Sequence, residues 1–502
     1  MNVHQALDTL KARLHEIHDL HVAASVLHWD QETYMPPQGA KARARQVATL
    51  RRLAHEKFTS PEIGELLQLL EDQGLPQWEP DSDEARLVRV TRYDYDRATK
   101  VPSDWVRAFA QLTSEARVVW REARARADFA LFRPYLERIV AMVREYAHFF
   151  APFDHIYDPL LDRFERKMKT AQVQALFERV REGQTRLLQH ILSQPQVDNA
   201  FLHRHYDRQK QRDLIERMVA HIGFDLERGR IDFSTHPFTT GFSIDDVRFT
   251  IRIKENDLSE VLSGGLHEMG HALYHQGIDP KYEGLPLGRG ASLGVHESQS
   301  RLWENLVGRS RAFWQFFFPW VQETFPENLS DVTAEAFYRA LNRVEPSFIR
   351  VEADEVTYNL HIILRFELEI ALLTEDLQVA DLPEAWNAKM KAYLGVVPPD
   401  DAKGVLQDIH WSQGSFGYFP TYALGNLLSA QIWNAMSQDL GDLDALMARG
   451  EFRPLLDWLR ERIYRHGNKF DPQELIQRAT GQTIQAEPYL AYLEGKYGDI
   501  YG

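Results

Sequence analysis

Two histidines placed four residues apart around a glutamate, in His267-Glu268-Met269-Gly270-His271, can share one ion only if the segment is helical. On a helix their Cβ atoms come within about 5–6 Å on one face; in an extended chain they lie too far apart. The flanking residues agree with a helix that packs against protein: Val261, Leu262 and Leu266 before the pair, then Ala272, Leu273 and Tyr274 after it. Glu268, one residue along from His267, stands beside such an ion rather than on it. From there it can take a proton from an attacking water.

Two histidines do not complete a catalytic site, which needs a third protein ligand and one open position. The chain has no cysteine, so that ligand is His, Asp or Glu. The residues after His271, ALYHQGIDP, hold no histidine at the metzincin position. His275 continues the four-residue step, but three successive turns of one helix cannot converge on one ion, so it reads as a neighbour. A carboxylate from a second helix remains. Glu297 and Glu304, seven apart in the segment Ser292 to Asn305, both qualify, and periodicity does not choose between them.

Helical spacing dominates the rest of the chain. Leu7, Leu10, Leu14 and Ile17 form one helix face that continues through His21, Ala24 and His28, with both histidines read as structural. Met35-Pro36-Pro37 ends that helix. Similar patterns run through 39–57, 103–125, 133–150, 170–193, 353–375 and 452–464. In Phe242 to Lys254, however, Val247, Phe249, Ile251 and Ile253 alternate with Arg248, Thr250 and Arg252, the period of a half-buried strand. This strand feeds a helix opened by Asn256 and Asp257, with Glu260 three residues after the latter. Its edge would suit an extended peptide beside the metal. No repeat or long linker divides the chain. A single domain over 1–502 is expected, mostly α, with two helical lobes around a groove.

Charge and hydropathy exclude several functions. A net charge of −15 opposes binding to nucleic acid or to anionic membranes. No run of about 18 apolar residues suggests a membrane span. The most apolar stretch, Phe313 to Val321, is broken by Gln315 and Pro319 and reads as buried aromatic core. Met1 to Leu20 is too regularly charged for a signal peptide. A cytoplasmic protein is expected.

Several further segments, in order along the chain, resemble the carboxypeptidase Taq family of thermostable metallocarboxypeptidases. Trp29 to Pro36 looks like the family's N-terminal segment. His236-Pro237-Phe238 matches its HPF tripeptide, and Asp246 to Thr250 its D-x-R-x-T segment. His267 to His271 is its H-E-x-x-H, and His296-Glu297-Ser298 its H-E-S. Ile349 to Asp354 matches I-R-x-x-A-D, and Gly404 to Trp411 matches G-x-x-Q-D-x-H-W. The resemblance implies His267, His271 and Glu297 as ligands of one divalent metal, with Glu268 as general base. It implies a gluzincin-like helical fold with a small sheet beside a deep groove. It also implies a homodimer that releases C-terminal residues of peptides with broad specificity and spares proline. Relatives outside the family brace a ligand histidine with an aspartate four residues after the ligand glutamate, and here that position is Arg301.

Within this expectation, His410 and Tyr422 are candidate oxyanion donors, twelve residues apart across a glycine- and aromatic-rich loop. Arg350 is the first candidate for the substrate's terminal carboxylate and Arg248 the second, because a guanidinium fork matches two oxygens. Asp246, His236 and Asp408 are framework residues. A His/His/Glu site suits zinc and also accepts cobalt or manganese. Two other functions compete. One is an oligopeptidase cutting internal bonds with the same metal; the other is an inactive peptide-binding scaffold, which retention of Glu268 opposes.

Overall fold

The computed structural model describes residues 1–502. The helical periods appear as helices Val3–Thr33, Ala40–Phe58, Ser103–Arg126, Phe129–His148, Thr170–Leu192, Glu355–Leu373 and Arg453–Arg462, among others. The first stops three residues before Pro36, in keeping with the proline pair. Its Leu7, Leu10, Leu14 and Ile17 are buried, while His21 and His28 are exposed. Leu7, Leu10 and Leu14 join Ile63, Leu67, Leu70 and Val88 in a small core that also takes in Ile278, Tyr282 and Leu287. A much larger core holds most of the other buried apolar residues, including Val261, Leu262, Leu266, Met269, Leu273 and Val295 around the H-E-x-x-H segment. Phe313 to Val321 belongs to it: Phe313, Trp314, Phe317, Phe318 and Val321 are buried on the helix Arg311–Thr324. No helix is long and apolar enough to cross a membrane.

The sheet has three strands: β1 (Gly229–Phe233), β2 (Thr239–Ser243) and β3 (Asp246–Ile251). Their order is β1-β3-β2, with β1 parallel and β2 antiparallel to β3. This corrects the sequence reading in two ways. The alternating segment is not one strand from Phe242, because Ser243 accepts a hydrogen bond from the Asp245 amide (2.9 Å) and turns the chain. Its alternating core, β3, is the central strand, so it has no free edge to offer a peptide. Thr250 also departs from the alternation. It is fully buried, and its hydroxyl is satisfied by Ser234 (2.6 Å) and the Phe238 amide (3.0 Å).

After β3 the chain enters the helix Leu258–Gln276, capped by the Asp257 carboxylate on the Ser259 amide (3.1 Å). This helix packs closely against the helix Leu293–Arg301, which in turn lies against Pro420–Leu440. Two glycines permit the approach. A Cβ on Gly270 would lie 2.6 Å from both the Gln299 carbonyl oxygen and the Ser300 Cα. A Cβ on Gly425 would lie 2.5 Å from the Glu297 Cγ. Past Arg301 the helix widens into a π segment, Leu302–Val307, a geometry often found where side chains must be re-aimed for function.

Candidate metal centre

The helix Leu258–Gln276 presents His267 and His271 from one face, and Leu293–Arg301 brings Glu297 to meet them. The Glu297 Oε2 lies 3.7 Å from the His267 Nε2 and 3.5 Å from the His271 Nε2. No two of the three ligating atoms are more than 4.8 Å apart. Zinc bonds of about 2.0–2.2 Å in a tetrahedron separate neighbouring ligand atoms by about 3.3–3.6 Å. The three side chains therefore fit around a divalent ion with modest closure of the histidine pair. Glu297 is 6 % exposed, and burial alone would push its carboxyl up; Arg301, His267 and His271 outweigh that and hold it well below the usual range. It is ionised at neutral pH.

The carboxylate left open by periodicity has a different position. Glu304, carried on the π segment, accepts a hydrogen bond from the His267 Nδ1 at 2.8 Å. That contact holds the Nδ1 against an acceptor and turns the Nε2 toward Glu297. Burial opposes ionisation of Glu304, but Arg301, His267 and Arg309 together draw its pKa down to about 2. Arg301, standing where an aspartate would brace a histidine, holds both acids instead. Its Nε donates to Glu297 (2.7 Å) and its Nη1 to Glu304 (3.2 Å). The second histidine has another kind of support. The His271 Nδ1 shares a hydrogen bond with the His296 Nδ1 at 2.6 Å, and the His296 Nε2 meets the His275 Nε2 at 3.1 Å. His275 thus points away from the ligand atoms, as its spacing required.

Glu268 is buried and faces β2, where the Thr239 hydroxyl donates to its Oε2 at 2.7 Å. Sequence reasoning missed Thr239, which lies three residues past His236 and carries no motif signal of its own. The exposed His236 contributes only its carbonyl, which accepts from the Ser234 hydroxyl.

The other candidates cluster around Asp408. His410 and Tyr422 come together, with the Tyr422 hydroxyl 3.5 Å from the His410 Nε2. Burial drives the His410 pKa down to about 4 and the Tyr422 pKa well above its usual value, so the first is neutral and the second stays a donor. The Arg350 guanidinium lies 4.8 Å from the centre of the Tyr422 ring. It donates twice to Asp408 (3.1 and 2.9 Å) and once to the Tyr358 hydroxyl (3.1 Å). Arg365 donates to the other Asp408 oxygen at 2.7 Å. One aspartate between two arginines leaves this buried cluster with a net positive charge. Arg248 is different: both oxygens of Asp246 accept from it at 2.7 Å, a neutral pair on β3. Tyr358 connects the cluster to the metal centre, since the Arg301 guanidinium stacks 4.2 Å over its ring.

The whole chain has close relatives. The family profile for carboxypeptidase Taq (M32) metallopeptidases matches residues 9–497. Thermostable carboxypeptidase 1 of Thermus thermophilus is 48% identical over 484 residues, covering 94% of each chain. Carboxypeptidase 1 of Bacillus subtilis is 38% identical over 480 residues, 95% of each. The crystal structure of the M32 carboxypeptidase from Deinococcus radiodurans R1 superposes with a TM-score of 0.97 at 42% identity, covering 99% of this chain and 100% of that one.

Proposed function

This chain belongs to the carboxypeptidase Taq (M32) metallopeptidase family, and from that premise we propose how its side chains divide the work of a metallocarboxypeptidase. His267, His271 and Glu297 hold one divalent metal, and the convergence of their three ligating atoms on one point carries the reading. When bound, the metal supplies Lewis acidity that polarises the scissile carbonyl and acidifies water. Zinc suits two imidazoles and a carboxylate; cobalt and manganese are the alternatives.

Glu268 takes the proton of the attacking water and passes it toward the leaving amine. The Thr239 hydroxyl binds one carboxylate oxygen of Glu268 and leaves the other free to face the water. Tyr422 and His410 donate to the oxyanion as charge develops on the carbonyl oxygen. Arg350 receives the terminal carboxylate. Three of its five N–H groups are occupied, and the cluster it shares with Asp408 and Arg365 keeps a net positive charge. Arg248 is the second choice, since its pairing with Asp246 is electrically neutral.

The substrates are peptides shortened from the C-terminus with broad specificity, proline being spared. Residues 1–502 act as one catalytic unit with two helical lobes around the groove. Family membership supports a homodimer, and a cysteine-free sequence suits the cytoplasm.

Digesting a mixed peptide set and its C-terminally amidated twin tests this, with products read by mass spectrometry. Stepwise loss from free C-termini is expected, with amidated peptides intact and all cleavage stopped by chelator. Internal fragments from both sets would make the chain an oligopeptidase instead.

A further inference from the structure

A hydrogen bond between two imidazole nitrogens needs one proton, held by one ring and accepted by the other. The contacts His271 Nδ1–His296 Nδ1 and His296 Nε2–His275 Nε2 therefore cannot be protonated independently. The placement of their protons rests on the proposed role of the His271 Nε2 as a metal ligand. That role leaves the His271 proton on Nδ1, so the His296 Nδ1 must accept. The one proton of His296 then sits on Nε2 and points at His275, whose Nε2 accepts in turn. The proton of His275 is left on Nδ1, which faces β2 at Gly241, where a Cβ would come 3.0 Å from that nitrogen.

We propose that His296 and His275 are positioning residues that form, with His271, a three-ring chain of fixed tautomers orienting the His271 ring. This is a neutral counterpart to the Glu304 carboxylate that orients His267. The two ligand histidines are then unequal. His267, backed by an anion, is the more basic donor, and His271, backed by neutral rings, the weaker one. Packing serves the chain: a Cβ on Gly290 would lie 2.8 Å from the His296 Cδ2, so glycine there leaves the ring its place. The last acceptor is essential, because without it the His296 Nε2–H is buried and unpaired and the opposite tautomer becomes competitive.

Two substitutions at His275 separate hydrogen bonding from packing. His275→Gln keeps an acceptor on a flexible side chain, and His275→Met fills the space without a good one. Zinc affinity, measured by competition with a chromophoric chelator, should fall about tenfold or more in His275→Met. In His275→Gln it should stay within about threefold of wild type. Wild-type affinity in His275→Met, or equal losses in both variants, overturns the chain. The wild-type enzyme gives an independent reading. With 15N-labelled histidine and bound zinc, His271 and His275 should carry Nδ1 protons and His296 an Nε2 proton. A His296 protonated on Nδ1, or on both nitrogens, also overturns it. His271→Ala is the control. Undiminished zinc affinity there removes the ligand assignment itself, whereas lost affinity there beside an unaffected His275→Met removes only the chain.

Discussion

Glu268→Gln is expected to keep its bound metal and lose turnover by about 10²–10⁴-fold, the range for a positioned general base. The amide has nearly the same shape, and its carbonyl can still accept from Thr239, so the buried pocket stays intact. What disappears is the proton acceptor. The loss should fall on kcat, since proton transfer is felt in the transition state and not in substrate binding. Metal content, measured in the same preparation, separates this from a folding defect. Activity within tenfold of wild type at full metal occupancy would take the role of base away from Glu268.

Glu297→Ala should lose zinc affinity by more than about a hundredfold, and Glu304→Ala by about 10–100-fold, the effect of removing an outer partner. The difference arises from which histidine nitrogen each carboxylate meets. Glu297 faces both Nε2 atoms, whereas Glu304 bonds the Nδ1 of His267. Glu297→Ala removes a ligand, so the loaded protein keeps only two protein donors. Glu304→Ala leaves three donors but frees the His267 ring to rotate or to change tautomer. Arg301 keeps one carboxylate partner in either variant, while Arg309 loses Glu304 only in Glu304→Ala, so unpaired charge weighs more on that variant and does not account for the contrast. Dialysis against graded chelator followed by metal analysis reads the order directly. The reverse order would move the third ligand to Glu304.

The elements that were legible in the sequence are those whose determinants are local. Val3–Thr33 declares itself by the spacing of Leu7, Leu10, Leu14 and Ile17 and by the prolines just beyond it. The ligand helix does so through His267 and His271. The sheet was half legible: alternation marked the core of β3, but a side-chain turn at Ser243 separates off β2. Thr239 matters to Glu268 only because β2 folds back against the ligand helix, a contact across 29 positions with no local signature. Glu304 is the instructive case. Seven residues from Glu297, it shares a face with it on an ideal helix, yet the π segment re-aims it to the far nitrogen of His267. Arg350 and Asp408 each sit in a recognisable segment, but the charge of their cluster depends on Arg365, which stands between Leu364 and Phe366 in the sequence with no motif to mark it.

All of these roles depend on one claim, that a single divalent ion sits between the Nε2 atoms of His267 and His271 and the Oε2 of Glu297. Anomalous diffraction at the zinc edge from zinc-loaded crystals locates such an ion without reference to activity. The expected result is one strong peak per chain, about 2.0–2.2 Å from each of those three atoms. A peak bound instead by His275 or His296, or none with these three side chains ordered, would contradict the account.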